Sequence, residues 1–326
     1  MAHQIDTTSI GRASYASTQR EWHGLGELLP QGADLETWAR AAGMEYKVQR
    51  AYPRFATERI DNHVPATSLT VYDERVILFR SDTGAPLGCV SPKYKVVQPR
   101  EVLEFFSEWA AAGGMTIESA GVLFGGKRYF ATAKLADGVF VDGTRDKIVP
   151  YALLSTSADG TLATEARWTS VRVVCNNTLR LATKDSAVFK LSHRSEWKPE
   201  VARDTIEAAQ AEFGAFMSTA RKLAGVRVEA KLAQEMTALL LRKGTEETDK
   251  TKESAGFTKI MSLFEGGGKG STLETSRETA FGWLNACTEY YDHHIRAHSD
   301  ENRTASALWG VGDDMKQRAL EIALAV

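Results

Sequence analysis

Cysteine is scarce in this chain: among 326 residues there are three, Cys89, Cys175 and Cys287. An odd number at wide spacing excludes a disulfide framework and fits reduced thiols. Long apolar runs are missing as well. Stretches such as Val76–Phe79 fall far short of the roughly 20 residues that cross a bilayer. The first nineteen residues are polar and lack the apolar core of a signal peptide. The expectation is a soluble, cytoplasmic protein without a membrane partner. Neither sign of charge is in excess, with Lys+Arg at 40, Asp+Glu at 42 and a formal charge of −2. That balance excludes a globally basic nucleic-acid binder and an acidic DNA mimic, while leaving room for a local basic face.

Catalytic signatures are equally thin. There is no Gly-x-Ser-x-Gly elbow and no paired-carboxylate motif. The run Gly266-Gly267-Gly268-Lys269-Gly270-Ser271 lacks the Gly-Lys-Ser/Thr order and the preceding strand of a phosphate loop, and reads as a linker. Glu289, Asp292, His293, His294 and His298 form the densest set of ligand-type residues, but without the His-Glu-x-x-His order. A metal-dependent nuclease built on them is the third functional reading. Cys175 has no adjacent base and reads as a core thiol. No catalytic residue, metal or cofactor is expected.

What is present is a 43% hydrophobic chain long enough to bury a substantial core. Asp34 is placed to cap a helix over 35–42, and a Val102, Phe105, Phe106, Trp109 stripe marks a second over 101–112. Runs over 75–80 and 87–90 read as a hairpin. Strands are expected over 116–124, 128–135, 147–156 and 162–168, punctuated by Gly125-Gly126, Asp137-Gly138 and Asp159-Gly160. Val171–Ala182 is ambiguous. Its valines favour a strand, but Val171, Val174, Cys175, Thr178 and Leu181 have helical spacing and Thr169 or Ser170 can cap, so a helix packed on the meander is expected. From Pro199 onward the chain reads as helix. Ile206, Ala209, Phe213, Phe216, Ala220 and Leu223 recur at three- and four-residue steps, a seam suited to homo-oligomerisation or to internal packing. The fold class is therefore α+β: an antiparallel β-meander with a packed helix over residues 1–195, then a mainly helical region over 196–326 with flexible linkers near 245–255 and 266–271.

The meander interleaves cations with aromatics. Lys127, Arg128, Lys134, Arg167 and Arg172 alternate with Phe130 and Tyr151. On an open sheet, cations track phosphates and rings accept any base, which suits single-stranded DNA. A solvated sheet face with its rings in the core is the plainer alternative.

Several motifs in order carry a resemblance: Trp22-His23-Gly24-Leu25-Gly26, Tyr94-Lys95-Val96-Val97-Gln98-Pro99, Ser155-Thr156-Ser157 with Asp159-Gly160, Val171 through Leu179, and Thr279-Ala280-Phe281-Gly282-Trp283-Leu284-Asn285-Ala286 with Glu289-Tyr290. Together they resemble the phage/plasmid-like family called domain of unknown function 932. That resemblance implies a mobile-element protein working in a bacterial host cell. The expected strand-strand-strand-helix order from Arg128 to Ala182 is similar to the core of the single-strand annealing proteins, among them the eukaryotic Rad-fifty-two protein and phage RecT and Redβ relatives. This second resemblance implies ATP-independent annealing by rings or filaments of subunits. The leading expectation is a non-enzymatic single-strand annealing protein of phage or plasmid recombination; the alternative is a host-interaction or anti-defence protein.

Overall fold

The computed structural model describes residues 15–17, 27–61, 64–113, 116–141, 144, 146–172, 177–179, 189–193, 199–242, 251 and 254–326. The Trp22–Gly26 motif, Cys175 and most of the 245–255 linker lie outside the described residues.

The chain opens with β1 (Tyr15–Ser17) and β2 (Glu27–Leu28), followed by α1 (Leu35–Ala41). Asp34 caps α1 by accepting the Thr37 N–H at 2.8 Å. Next come β3 (Val48–Ala51), β4 (Arg54–Asp61), β5 (Val64–Val71), β6 (Val76–Arg80) and β7 (Pro86–Val90). Helix α2 spans Pro99–Gly113. The meander is β8 (Thr116–Leu123), β9 (Arg128–Lys134), β10 (Val139–Phe140), β11 (Lys147–Ser157) and β12 (Thr164–Arg172), joined by β13 (Asn177–Leu179) and β14 (Phe189–Leu191). The helices that follow are α3 (Pro199–Gly225), α4 (Ala230–Leu241), α5 (Ala255–Ser262), α6 (Ala280–Glu289), α7 (Asp300–Trp309) and α8 (Val311–Leu324). The architecture is α+β. Among the described residues, no helix is long and apolar enough to cross a membrane.

A central sheet runs β13-β12-β11-β9-β8-β1-β2, with β10 on β11 and β14 on β12. It is antiparallel except for the β1–β2 pair. β3-β6-β7 form a small second sheet, and β4-β5 a two-stranded ribbon.

Alternation gives the meander two different faces. The first is a floor of small side chains: Ala120 pairs with Ala131, Ala131 with Leu154 and Leu154 with Ala166, with Ala133 beside Ala152. Bulkier residues settle onto it: Val102, Leu103, Phe105 and Phe106 of α2, Trp38 of α1, and Val48, Leu78 and Val90 of the small sheet. The second face carries Leu123, Phe130 and Leu153 against Leu308, and it is closed by the C-terminal helices. A separate helical core gathers α3, α4, α5, α6 and α8 around Trp283.

Where residues 171–182 are described, the expected helix is not formed. Val171 and Arg172 continue β12, paired with Val149 and Ile148, and Asn177–Leu179 is strand β13 on the same β12. Thr169 and Ser170, expected as caps, are ladder residues opposite Tyr151 and Pro150. Val171, β-branched, took its partners across the sheet, and the helical spacing did not decide the described residues. The helices that do cover the meander are α2, which precedes it, on one face and C-terminal helices on the other.

The oligomerisation seam is used internally at its C-terminal end. Phe216, Ala220 and Leu223 are buried in the helical core. The side chains of Ile206 and Ala209 lie outside the described residues. The glycine run at 266–271 is a hydrogen-bonded turn: Gly268 N–H donates to Leu263 O and Lys269 N–H to Glu289 Oε2.

Candidate nucleic-acid interface

The sequence-derived cations separate once folded. Arg167, on β12, is 4% exposed. Its Nε lies 3.0 Å from Glu165 Oε1 and its Nη1 3.2 Å from Asp313 Oδ2, the latter on the first turn of α8. Both carboxylates are buried, so Arg167 is committed inside and offers nothing to a phosphate at the surface. Phe130 is 3% exposed, with the Trp309 ring edge-on at 5.8 Å. A base has no access to it. Lys134 and Tyr151 are register partners, both half-buried, and Lys134 Nζ donates to Asp137 at 2.8 Å. That bond holds the Asp137 carboxyl below its ordinary range. Arg172 is the last residue of β12, paired with Ile148 and Asn177, at the opposite end of that strand from Glu165; its side chain lies outside the description.

Lys127 and Arg128 differ. Lys127 is exposed, and its carbonyl accepts the Ala158 N–H. Arg128 donates twice to Thr161 Oγ1, at 3.0 and 3.2 Å, and lies 5.4 Å over the Phe124 ring. Both therefore stand at the β11–β12 turn, where two of the motifs quoted above converge. Tyr94 Oη donates to Ser157 O at 2.7 Å, and Tyr129 Oη donates to Val97 O. Burial pushes the Tyr94 phenol up to about 12, so it is neutral at physiological pH. Its ring stacks on His193 at 4.3 Å. His193 in turn sets its ring nitrogens against Lys95 O and Leu162 O, at 3.1 and 2.8 Å. An open hollow of about 510 Å³ results, lined by Ser91, Tyr94, Gly160, Ala163, Lys190, Ser192 and His193.

This rim collects cations from four separate segments. Exposed Lys93 and Lys95 flank Tyr94, exposed Lys190 lies within β14, exposed Lys127 precedes β9 and half-buried Arg128 begins it, and exposed Arg50 of β3 reaches over to donate to Pro92 O at 2.7 Å. Two acids temper them: Asp159, which binds its own turn through Thr161, and Glu165, which Lys190 approaches to 3.6 Å. Beyond Arg50 a second hollow, about 210 Å³, is lined by Arg50, Ala51, Tyr52, Val76 and Pro92. It leads onto the base of the β4–β5 ribbon. There Tyr52, Phe55 and Tyr72 are 51, 49 and 40% exposed, leaving their rings open.

Sequence reasoning placed the cations on the sheet face and the rings in the meander. The structure puts the accessible ones on the rim and the ribbon instead. Tyr52, Phe55 and Tyr72 were missed because their stretch lacks a hydrophobic period long enough to single out. The available signal was three aromatics among turn-type residues, with few apolar neighbours to pack them.

The histidine-rich segment is occupied structurally. Asp292 and Lys316 are both 1% exposed and paired at 2.7 Å. Burial, with Lys259 and other flanking cations, holds the His294 imidazole down to about 4. Among the described residues, no group of three or more His, Cys, Asp or Glu side chains converges to hold a metal ion. Cys287 is fully buried, and burial raises its thiol.

A family model described as "Domain of unknown function (DUF932)" matches residues 86–309. That range contains Lys93, Lys95, Lys127, Arg128, Lys190 and the hollow between them; Arg50, Tyr52 and the ribbon precede it. No curated protein and no solved structure matches the chain.

Proposed function

This chain belongs to the family described as domain of unknown function (DUF932), and from that premise we propose that it binds and anneals single-stranded DNA without ATP, as a homo-oligomer, in phage or plasmid recombination. The observation that supports the reading is the rim: exposed cations around the Tyr94–His193 hollow, continuous with exposed Tyr52, Phe55 and Tyr72. Cations spaced along a backbone track, next to rings with a free face, are what sequence-tolerant strand binding requires. In this reading Lys127 and Arg128 keep the phosphate role first read from the meander, joined by Lys93, Lys95 and Lys190. Tyr52 takes the stacking role.

The test is fluorescence anisotropy of a labelled oligonucleotide across a salt series without nucleotide. Each neutralised phosphate contributes about −0.7 to the slope of log affinity against log salt. Lys95→Ala and Lys127→Ala are each expected to flatten that slope by about one contact. Lys134→Ala, already committed to Asp137, is expected to leave it unchanged. Tyr52→Ala is expected to weaken binding by ~1–3 kcal/mol with the slope intact. Absence of strand affinity at low salt overturns the reading.

A further inference from the structure

The first face of the central sheet is sealed by apolar packing, whereas the second combines a small apolar cluster, Leu123, Phe130 and Leu153 against Leu308, with buried charge. Beneath α7 and the turn after it lie two buried ion pairs. Arg167 sits between Glu165 and Asp313. Lys316 holds Asp292 Oδ1 at 2.7 Å and the carbonyl of Ala307, on α7 itself, at 3.0 Å. Arg167 Nε and Glu165 Oε1 are close but not aligned as a hydrogen bond. Ser155 Oγ and Trp309 Nε1 are buried with no hydrogen-bond partner among the described residues. α7 adds to this Leu308, with Thr304, Ala305 and Ala307 buried beside it, and the half-buried Trp309 edge-on to Phe130.

Lifting such a cover costs less than lifting a wholly apolar one. Charges and dipoles that are imperfectly paired regain hydration when uncovered, which offsets the packing that is given up. Lifting an apolar cover would have no such compensation. α7 also has breaks at both ends, the irregular stretch before its Ser299 cap and the extended Gly310. Polar contacts also fasten it to the sheet, among them the Phe124 N–H donated to Glu301 Oε1 at 2.8 Å and the hold of Asp313, just past Gly310, on Arg167.

We propose that α7 and the Gly310–Asp313 turn form a flap that lifts from the sheet, and that the face it uncovers is a second seat for single-stranded DNA. This rests on the strand-binding reading above. The uncovered rows would present Arg167 with Leu153 and Thr132, and Phe130 with Ser155 and Glu165, a cation and a ring in adjacent registers with one acid beside them. Arg167 and Phe130, closed to DNA in the covered state, are then used in the open one.

Ser155→Cys, in a Cys89→Ser, Cys175→Ser background, places a thiol under the flap. Cys287, buried in the helical core, remains as an internal reporter of global unfolding. Leu153→Cys, fully buried in the adjacent row against Leu308, is the second probe should Ser155→Cys fold poorly. The expected result is labelling of the introduced thiol at least about tenfold faster than Cys287, because local opening is more frequent than global unfolding. Asp313→Asn is expected to widen that ratio further, and an oligonucleotide to protect the introduced thiol. Equal rates at the two thiols, with and without Asp313→Asn, overturn the flap. An oligonucleotide that binds yet gives no protection overturns the second seat. An oligonucleotide that fails to bind at all overturns the strand-binding reading, while the labelling ratio, read without DNA, still decides the flap.

Discussion

Single side chains hold the rim in place from below. Arg80 is 2% exposed at the end of β6. Its guanidinium donates to both Asp82 oxygens, at 3.0 and 2.7 Å, and to Gly125 O, and it lies 4.1 Å over the Tyr46 ring. Tyr46 Oη donates to Gly126 O, so one arginine and one tyrosine fasten the small sheet to the turn that launches Lys127 and Arg128. A Cβ at Gly126 would lie 2.7 Å from Tyr46 Oη, and its φ of +95 already favours glycine. The hydrogen bonds from Arg80 hold the Asp82 carboxyl below its ordinary value of 3.8. A carboxylate with a depressed folded-state value stabilises the fold above the unfolded value and loses that contribution as pH falls through the folded one. Asp82→Asn is therefore expected to lower stability at pH 7 by about 1 kcal/mol, a figure reduced for the residue's partial exposure. The deficit should shrink below pH 4. Urea denaturation at pH 7 and pH 3 checks both the size and the sign.

At the scale of elements, the motif at the start of α6 explains itself. Thr279 caps the helix by accepting the Gly282 N–H at 3.0 Å. Gly282 has to be glycine because a Cβ there would lie 1.8 Å from Ser276 O. Trp283, fully buried, donates its indole N–H to Thr237 Oγ1 at 2.9 Å and ties α6 to α4. Gly282→Ala is expected to cost at the upper end of about 1–3 kcal/mol, since neither backbone can yield. Thr279→Ala is expected to cost ~1 kcal/mol through the lost cap. Thermal melts of the two variants should rank them in that order. The α1 cap, the α2 stripe, the meander strands and the helical C-terminal part were legible because each is fixed by local chemistry: a capping side chain, a repeating period, or an Asp-Gly turn. The strand state of Val171–Arg172 and of Asn177–Leu179 was not, because their partners are chosen across the sheet and the local spacing fits either state. The site was half legible. Lys127 and Arg128 follow a turn that the sequence marks. The burial of Arg167 and Phe130 depends on Asp313 and Trp309, more than a hundred residues downstream, and no local pattern announces that.

On the scale of the whole molecule, the β4–β5 ribbon stands apart. Its strands pair with each other, its described side chains join none of the core clusters, and the Tyr72 N–H donates to Pro53 O at 2.8 Å to close its neck. A hairpin so placed contributes little to global stability. Replacing residues 54–71 by a short glycine bridge is expected to leave the melting temperature within a few degrees. It should weaken oligonucleotide binding without changing the salt slope. Calorimetry and the anisotropy series read the two effects separately, and light scattering on the same sample shows whether the ribbon joins subunits. The sheet order has a consequence for how the chain is made. β8, β9, β11 and β12 are sequential neighbours, so each can pair as it leaves the ribosome. β1 waits for β8, with Tyr15 opposite Gly121, and so emerges early but docks late on an edge that must first be built. During that interval the open edge of β8 is a template for any passing strand, and the nascent N-terminal segment is its tethered occupant, at an effective concentration no free chain in the cell can match.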